Sequence, residues 1–78
     1  MTLHELDTVV LNRDLPAEGL RRGDIGAVVH LLSDDHFEVE FTRASGRHLA
    51  LVELSSDDLR LMADNDVLAV RPAGPSVR

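Results

Sequence analysis

The sequence predicts an all-β fold of five short strands around one small core, and three observations lead there. Short apolar runs recur along the 78 residues, and clusters of Gly, Pro, Asn, Asp or Ser end them, the spacing of strands and turns. One run, "HFEVEFT", alternates apolar and polar residues with period two, as a half-buried strand requires. The one helix-like opening, "SSDDLRLM", is too short to form a layer. A chain of this length has apolar surface for one core, so we set a single domain at residues 1–72 and a C-terminal tail at 73–78.

The first strand is expected in "LDTVVLNR", rich in β-branched residues, and "NRDLPAEG" then supplies a long loop. The stretch "LRRGDIG" leads into the second strand, "IGAVVHLL", which is apolar on both faces and stops at "SDD". Gly23 and Asp24 are read as the entry turn, and Gly26 as a point of close backbone approach. "HFEVEFT" is strand three, with Phe37, Val39 and Phe41 inward and His36, Glu38, Glu40 and Thr42 outward. "RASGR" turns the chain into strand four, "HLALVEL", which pairs with strand three as a hairpin. Ser55 and Asp58 have capping-box spacing, so a short helical or 3-10 turn is expected before the last strand. That strand is read in "DVLAVRP", closed by Pro72, ahead of a Gly, Pro and Ser tail. Such strands form a small five-stranded SH3-like barrel, which leaves few exposed sheet edges. The expected core is Val10, Leu20, Ile25, Val28, Phe37, Val39, Phe41, Leu49, Leu54, Leu59 and Val70.

Composition narrows the function. Fourteen acids against eight basic residues give a net charge of −6, and every basic residue is arginine. A surface this acidic disfavours a phosphate backbone. There is no Trp or Tyr, so the ring platforms of single-strand binders and of Pro-rich peptide grooves are missing. Without cysteine there is no disulfide, thiolate metal site or Cys nucleophile. The start "MTLHELDTVV" lacks a signal-peptide pattern, and no apolar run is long enough to cross a membrane. We therefore expect a soluble, cytoplasmic protein with no membrane partner.

The ordered string "LDTVVLNRDLPAEGLRRGDIGAVV" and "FEVEFTRASGRHLALVELSSDDLR" resembles a small bacterial family catalogued as a domain of unknown function, number 4926, across roughly residues 6–60. The resemblance implies an SH3-like barrel and no established activity. More distantly, "GDIGAVV", "FEVEF" and "LVELSSDDLR" are similar to the KOW-type barrels of transcription and ribosomal proteins. This chain departs from them in lacking their basic, RNA-facing loops.

Residues 27–42 hold four acids and no arginine. Asp34 and Asp35 fall in the turn between strands two and three, and Glu38 and Glu40 on the outward face of strand three. Such a patch steers a basic partner and mimics a nucleic-acid backbone, so these four are the expected partner-binding residues. The expected function is a non-catalytic protein-interaction module, an antitoxin or immunity-type protein whose partner is a protein such as a basic toxin. Arg21, Arg22, Arg43 and Arg47 in two loops are the candidate contacts for an anion or a partner's carboxylate, and they carry the alternative, a KOW-type nucleic-acid module in transcription or translation. His4, His30, His36 and His48 lack a metal-ligand spacing, and no serine sits in a nucleophile elbow. No cofactor, metal or catalytic residue is expected, and the oligomeric state is left open.

Overall fold

A computed structural model describes residues 2–74. The chain is all-β, five antiparallel strands in one sheet: β1 (Thr8–Leu11), β2 (Ile25–Leu31), β3 (His36–Thr42), β4 (His48–Ser55) and β5 (Leu59–Leu61), in the order β4-β3-β2-β1-β5. One 3-10 turn, Pro16–Glu18, lies in the long first loop, and a second, Ser56–Asp58, precedes the last strand as expected. The Ser55 N–H donates to Asp58 Oδ2 at 3.0 Å, and the Ser55 hydroxyl lies 3.2 Å from the same oxygen. This capping geometry starts the second turn where the spacing of Ser55 and Asp58 placed it.

The sheet is not closed, which corrects the barrel expected from the strand count. β4 and β5 are its two edges and share no ladder. They are joined at one corner only: the Ser56 N–H donates to the Asp35 carbonyl, and two residues on the Asp58 carbonyl accepts the Asn12 N–H. The three-residue turn thus hooks the start of β3 to the end of β1 and curls the sheet over its own apolar face.

That face holds the core. Phe37, Val39 and Phe41 of β3 meet Val9 and Leu11 of β1, Val28 of β2, Ala50 and Leu54 of β4 and Leu59 of β5, with Leu3, Leu15 and Leu20 closing the ends. Gly26 is required here, because a Cβ on it would lie 2.7 Å from Val39 Cγ1 and 2.8 Å from Phe41 Cε2. β2 and β4 each carry a bulge, at Val29 and Leu49, which adds local twist where the sheet curls.

Two expected core residues are corrected. Ile25 stands beside Val10 on the outer face, where Val10 is buried and Ile25 is not. Val70 is fully exposed, as are Val67 and nearly so Leu68, because "DVLAVRP" is not the fifth strand. The three residues Leu59–Leu61 pair with β1 instead. Beyond them, the Asp66 carboxylate takes both Arg60 guanidinium nitrogens at 2.8 Å and the Ala63 N–H at 2.7 Å. This clasp turns the chain off the sheet, and Arg71 refastens it by a bidentate pair with Asp24 and a bond to the Gly19 carbonyl. Leu49, also expected inside, is half-buried against the core. Of the tail expected at 73–78, residues 75–78 lie outside the described residues.

Candidate protein-docking site

The site starts at the turn between β2 and β3. The N–H groups of Leu32 and Ser33 both donate to the His36 carbonyl, at 2.9 and 3.1 Å. Asp35 Oδ1 accepts from the Ser33 hydroxyl at 3.2 Å and lies 2.9 Å from His36 Nδ1. These two hydrogen bonds, His36 first, hold the Asp35 carboxyl below the usual carboxylate range, so the turn keeps its negative charge in mild acid. Asp34 is exposed beside it and makes no side-chain hydrogen bond to a described residue.

Ser33 Oγ lies 3.5 Å from His36 Nδ1, so one serine does stand beside a histidine. The trio is not a hydrolytic triad. Asp35 and Ser33 converge on the same imidazole nitrogen, whereas general-base catalysis needs the serine on one ring nitrogen and the carboxylate on the other.

From the turn, β3 carries its polar residues outward because Phe37, Val39 and Phe41 take the core side. Register then builds two rows across the sheet. In one row, Glu38 stands between His30 of β2 and Glu53 of β4; in the next, Glu40 stands between Ala27 and Leu51. His48 Nδ1 lies 3.3 Å from Glu40 Oε2. The structure therefore brings Glu38 and Glu40 onto one face, adds Glu53 to it, and sets Asp34 and Asp35 at the head of the same hairpin.

Glu53 went unread in the sequence because of the Leu49 bulge. Thr42 pairs with His48, and carrying that register along the hairpin without a bulge would set Val52 opposite Glu38; the extra residue moves the pairing by one and puts Glu53 there. A polar residue between Val52 and Leu54 was the available signal.

The four candidate arginines form a second group. Arg13, Arg60 and Arg71 are paired with Asp58, Asp66 and Asp24. Among the described residues, the side chains of Arg21, Arg22, Arg43 and Arg47 make no ion pair. The register of Ala27 on Glu40, carried two residues further, sets Ile25 beside Thr42, so the loop bearing Arg21 and Arg22 neighbours the turn bearing Arg43 and Arg47.

"LRRGDIG" is strand-entry architecture. Gly23 has φ +93°, and Asp24 accepts the Arg21 N–H at 2.8 Å and binds Arg71. Burial works upward on the Asp24 carboxyl, but the hydrogen bonds from Arg71 and Arg21 and their charges outweigh it and leave it below the usual range. An open cleft of about 490 Å³ lies alongside, lined by residues that include Asp14, Leu20, Arg21, Arg71 and Pro72. Its Arg71 is already committed to Asp24, and Asp14 accepts the Arg22 N–H at 2.7 Å.

Among the described residues, no group of three or more His, Asp and Glu side chains could hold a metal ion. No described helix is long and apolar enough to cross a membrane. No curated protein and no solved structure matches the chain. Residues 5–61 match the family described as Domain of unknown function (DUF4926), and the chain belongs to that family.

Proposed function

We propose that this member of the DUF4926 family is a non-catalytic protein-binding module that docks a basic partner on the outward face of β3 and β4. An antitoxin or immunity protein held against its toxin would work this way. The observation that carries the reading is Glu38 set directly opposite Glu53. Like charges facing each other across a ladder destabilise a sheet by a few tenths of a kcal/mol, up to about 1. A partner's arginine or lysine seated between them turns that repulsion into attraction. Solubility alone would be served as well by the same charges placed apart. Asp34 and Asp35 extend the negative field to the hairpin head and speed encounter with a cationic surface.

The test is affinity capture of the tagged protein from its native cells, compared with the Glu38→Arg, Glu40→Arg double variant. The reading expects one stoichiometric basic protein, lost in the variant while its circular dichroism is unchanged. Equal capture by both proteins would refute the acidic face.

A second reading is favoured by one observation: among the described residues, Arg21, Arg22, Arg43 and Arg47 on two neighbouring loops have no ion pair. It is a KOW-type nucleic-acid module in transcription or translation. It requires RNA or DNA affinity that falls steeply with salt and exceeds that of a charge-matched control.

A further inference from the structure

The two edges of the sheet are finished differently. An antiparallel ladder alternates hydrogen-bonded and non-hydrogen-bonded pairs. At β5, the Asn12 N–H donates to the Asp58 carbonyl and the Met62 N–H to the Thr8 carbonyl. Arg60 therefore faces β1, and Leu59 and Leu61 turn their main-chain groups to the edge. Three of those four groups are bonded: the Leu59 N–H donates to the Ser56 carbonyl, and the Leu59 carbonyl accepts from Asn12 Nδ2 at 3.0 Å. The Leu61 carbonyl accepts from Arg60 Nη1 at 3.2 Å.

At β4 the same alternation runs from the bond between the Ser56 N–H and the Asp35 carbonyl. Leu54, Val52 and Ala50 spend their main-chain groups on β3, and Leu51 and Glu53 direct theirs outward. Among the described residues, no side chain or loop bonds the backbone of Leu51 or Glu53. The strand is eight residues long, holds no lysine or proline, and exposes half of Leu51. Of the usual devices that protect an edge from pairing, β4 has the charge of Glu53 and the bulge at Leu49.

We propose that two copies of this chain pair antiparallel along β4, about a two-fold axis at Leu51, to form one continuous ten-stranded sheet. Self-complementarity selects a second copy as the occupant. With the axis at Leu51, each Leu51 faces its counterpart and Val52 faces Ala50 of the other copy. Glu53 then faces Leu49 of the other copy and has Arg47 as its diagonal neighbour, within reach of a long side chain, and neither Glu53 nor Arg47 has an ion pair among the described residues. An axis at Glu53 would set that carboxylate against itself. The pairing does not rest on the docking function, whose Glu38 and Glu40 it leaves on the outward face.

The absence of cysteine makes the test clean. Residues facing each other in a hydrogen-bonded antiparallel pair have Cα atoms about 5.5 Å apart, within disulfide reach. Oxidised Leu51→Cys should run as a covalent dimer, and Leu68→Cys, exposed on the C-terminal segment, as a monomer. Sedimentation equilibrium of the unaltered chain, from roughly micromolar to millimolar concentration, should give the dimer mass. Leu51→Lys, which opposes two charges, should weaken association at least about tenfold with an unchanged circular dichroism spectrum. A monomer mass throughout, including one that shifts only when another protein is added, overturns the proposal. So does a dimer that Leu51→Cys fails to cross-link.

Discussion

Replacing Gly26 with alanine adds one methyl group at the tightest point of the fold, and its cost follows from three distances. The new Cβ would meet Val39 Cγ1 at 2.7 Å, Phe41 Cε2 at 2.8 Å and the Glu40 carbonyl oxygen at 3.0 Å, all inside the ~3.5–4.0 Å optimum for carbon contacts. Val39 and Phe41 are fully buried, so neither can swing out of the way, and the carbonyl belongs to the adjacent strand. Overpacking of this kind costs about 1–3 kcal/mol. Gly26 does not have a positive φ, so alanine accepts the backbone and returns about 0.4–1 kcal/mol through the unfolded chain. With two side chains and a carbonyl all inside contact distance the packing cost is set at about 2 kcal/mol, so the net loss is about 1–1.6 kcal/mol, a fall in Tm of roughly 4–13 °C for a domain of this size. Urea and thermal denaturation followed by circular dichroism measure it. Adding Val39→Ala removes the nearest atom, so the Gly26→Ala penalty should shrink in that background. A Gly26→Ala protein as stable as the parent, or a penalty unchanged by Val39→Ala, would refute the packing argument.

Three further outcomes follow from the same structure. Leu6 holds φ +71° while largely exposed, a conformation that costs a residue with a Cβ about 1–2 kcal/mol; Leu6→Gly should raise the urea midpoint, and a lower midpoint would contradict this. Asp58 and Asp66 are held below the usual carboxylate range chiefly by hydrogen bonds from Arg13 and Arg60, Asp66 at about 2, and Asp24 is also lowered. Because the folded values lie below the unfolded ones, the stability they add is present above pH ~4 and is lost as pH falls toward about 2. Urea midpoints measured across that interval should decline, and a flat profile would argue against the pairs. Arg71→Ala should free residues 62–74 to proteolysis while changing core stability by less than about 1 kcal/mol, with limited digestion and mass spectrometry as the readout.

How much of this was legible in the sequence depends on which force sets each element. β3 was placed to the residue, because its strict alternation can be satisfied in one register only, and β2 and β4 came within one residue. β5 was missed because Leu59–Leu61 is three residues long and directly follows the capping box, whereas "DVLAVRP" has the better strand composition. Two arginine–aspartate clasps decide against that composition, the local one of Arg60 with Asp66 and the long-range one of Arg71 with Asp24. Asp34, Asp35, Glu38 and Glu40 were found from charge density along the chain. Glu53 required the cross-strand register, and a single bulged residue, Leu49, displaced it. Arg21, Arg22, Arg43 and Arg47, without an ion pair among the described residues, were singled out by loop position, though nothing local to them marks Arg13, Arg60 and Arg71 as paired.

If the acidic row is kept for a partner at a cost to the fold, neutralising it should raise stability and weaken capture together. The Glu38→Gln, Glu53→Gln variant and the parent chain are measured side by side for urea stability and for capture of the basic partner. The variant should be more stable, by a few tenths of a kcal/mol to about 1, and should capture less of the proposed basic partner. A variant of lower stability, or one that retains the partner in full, would contradict the docking reading.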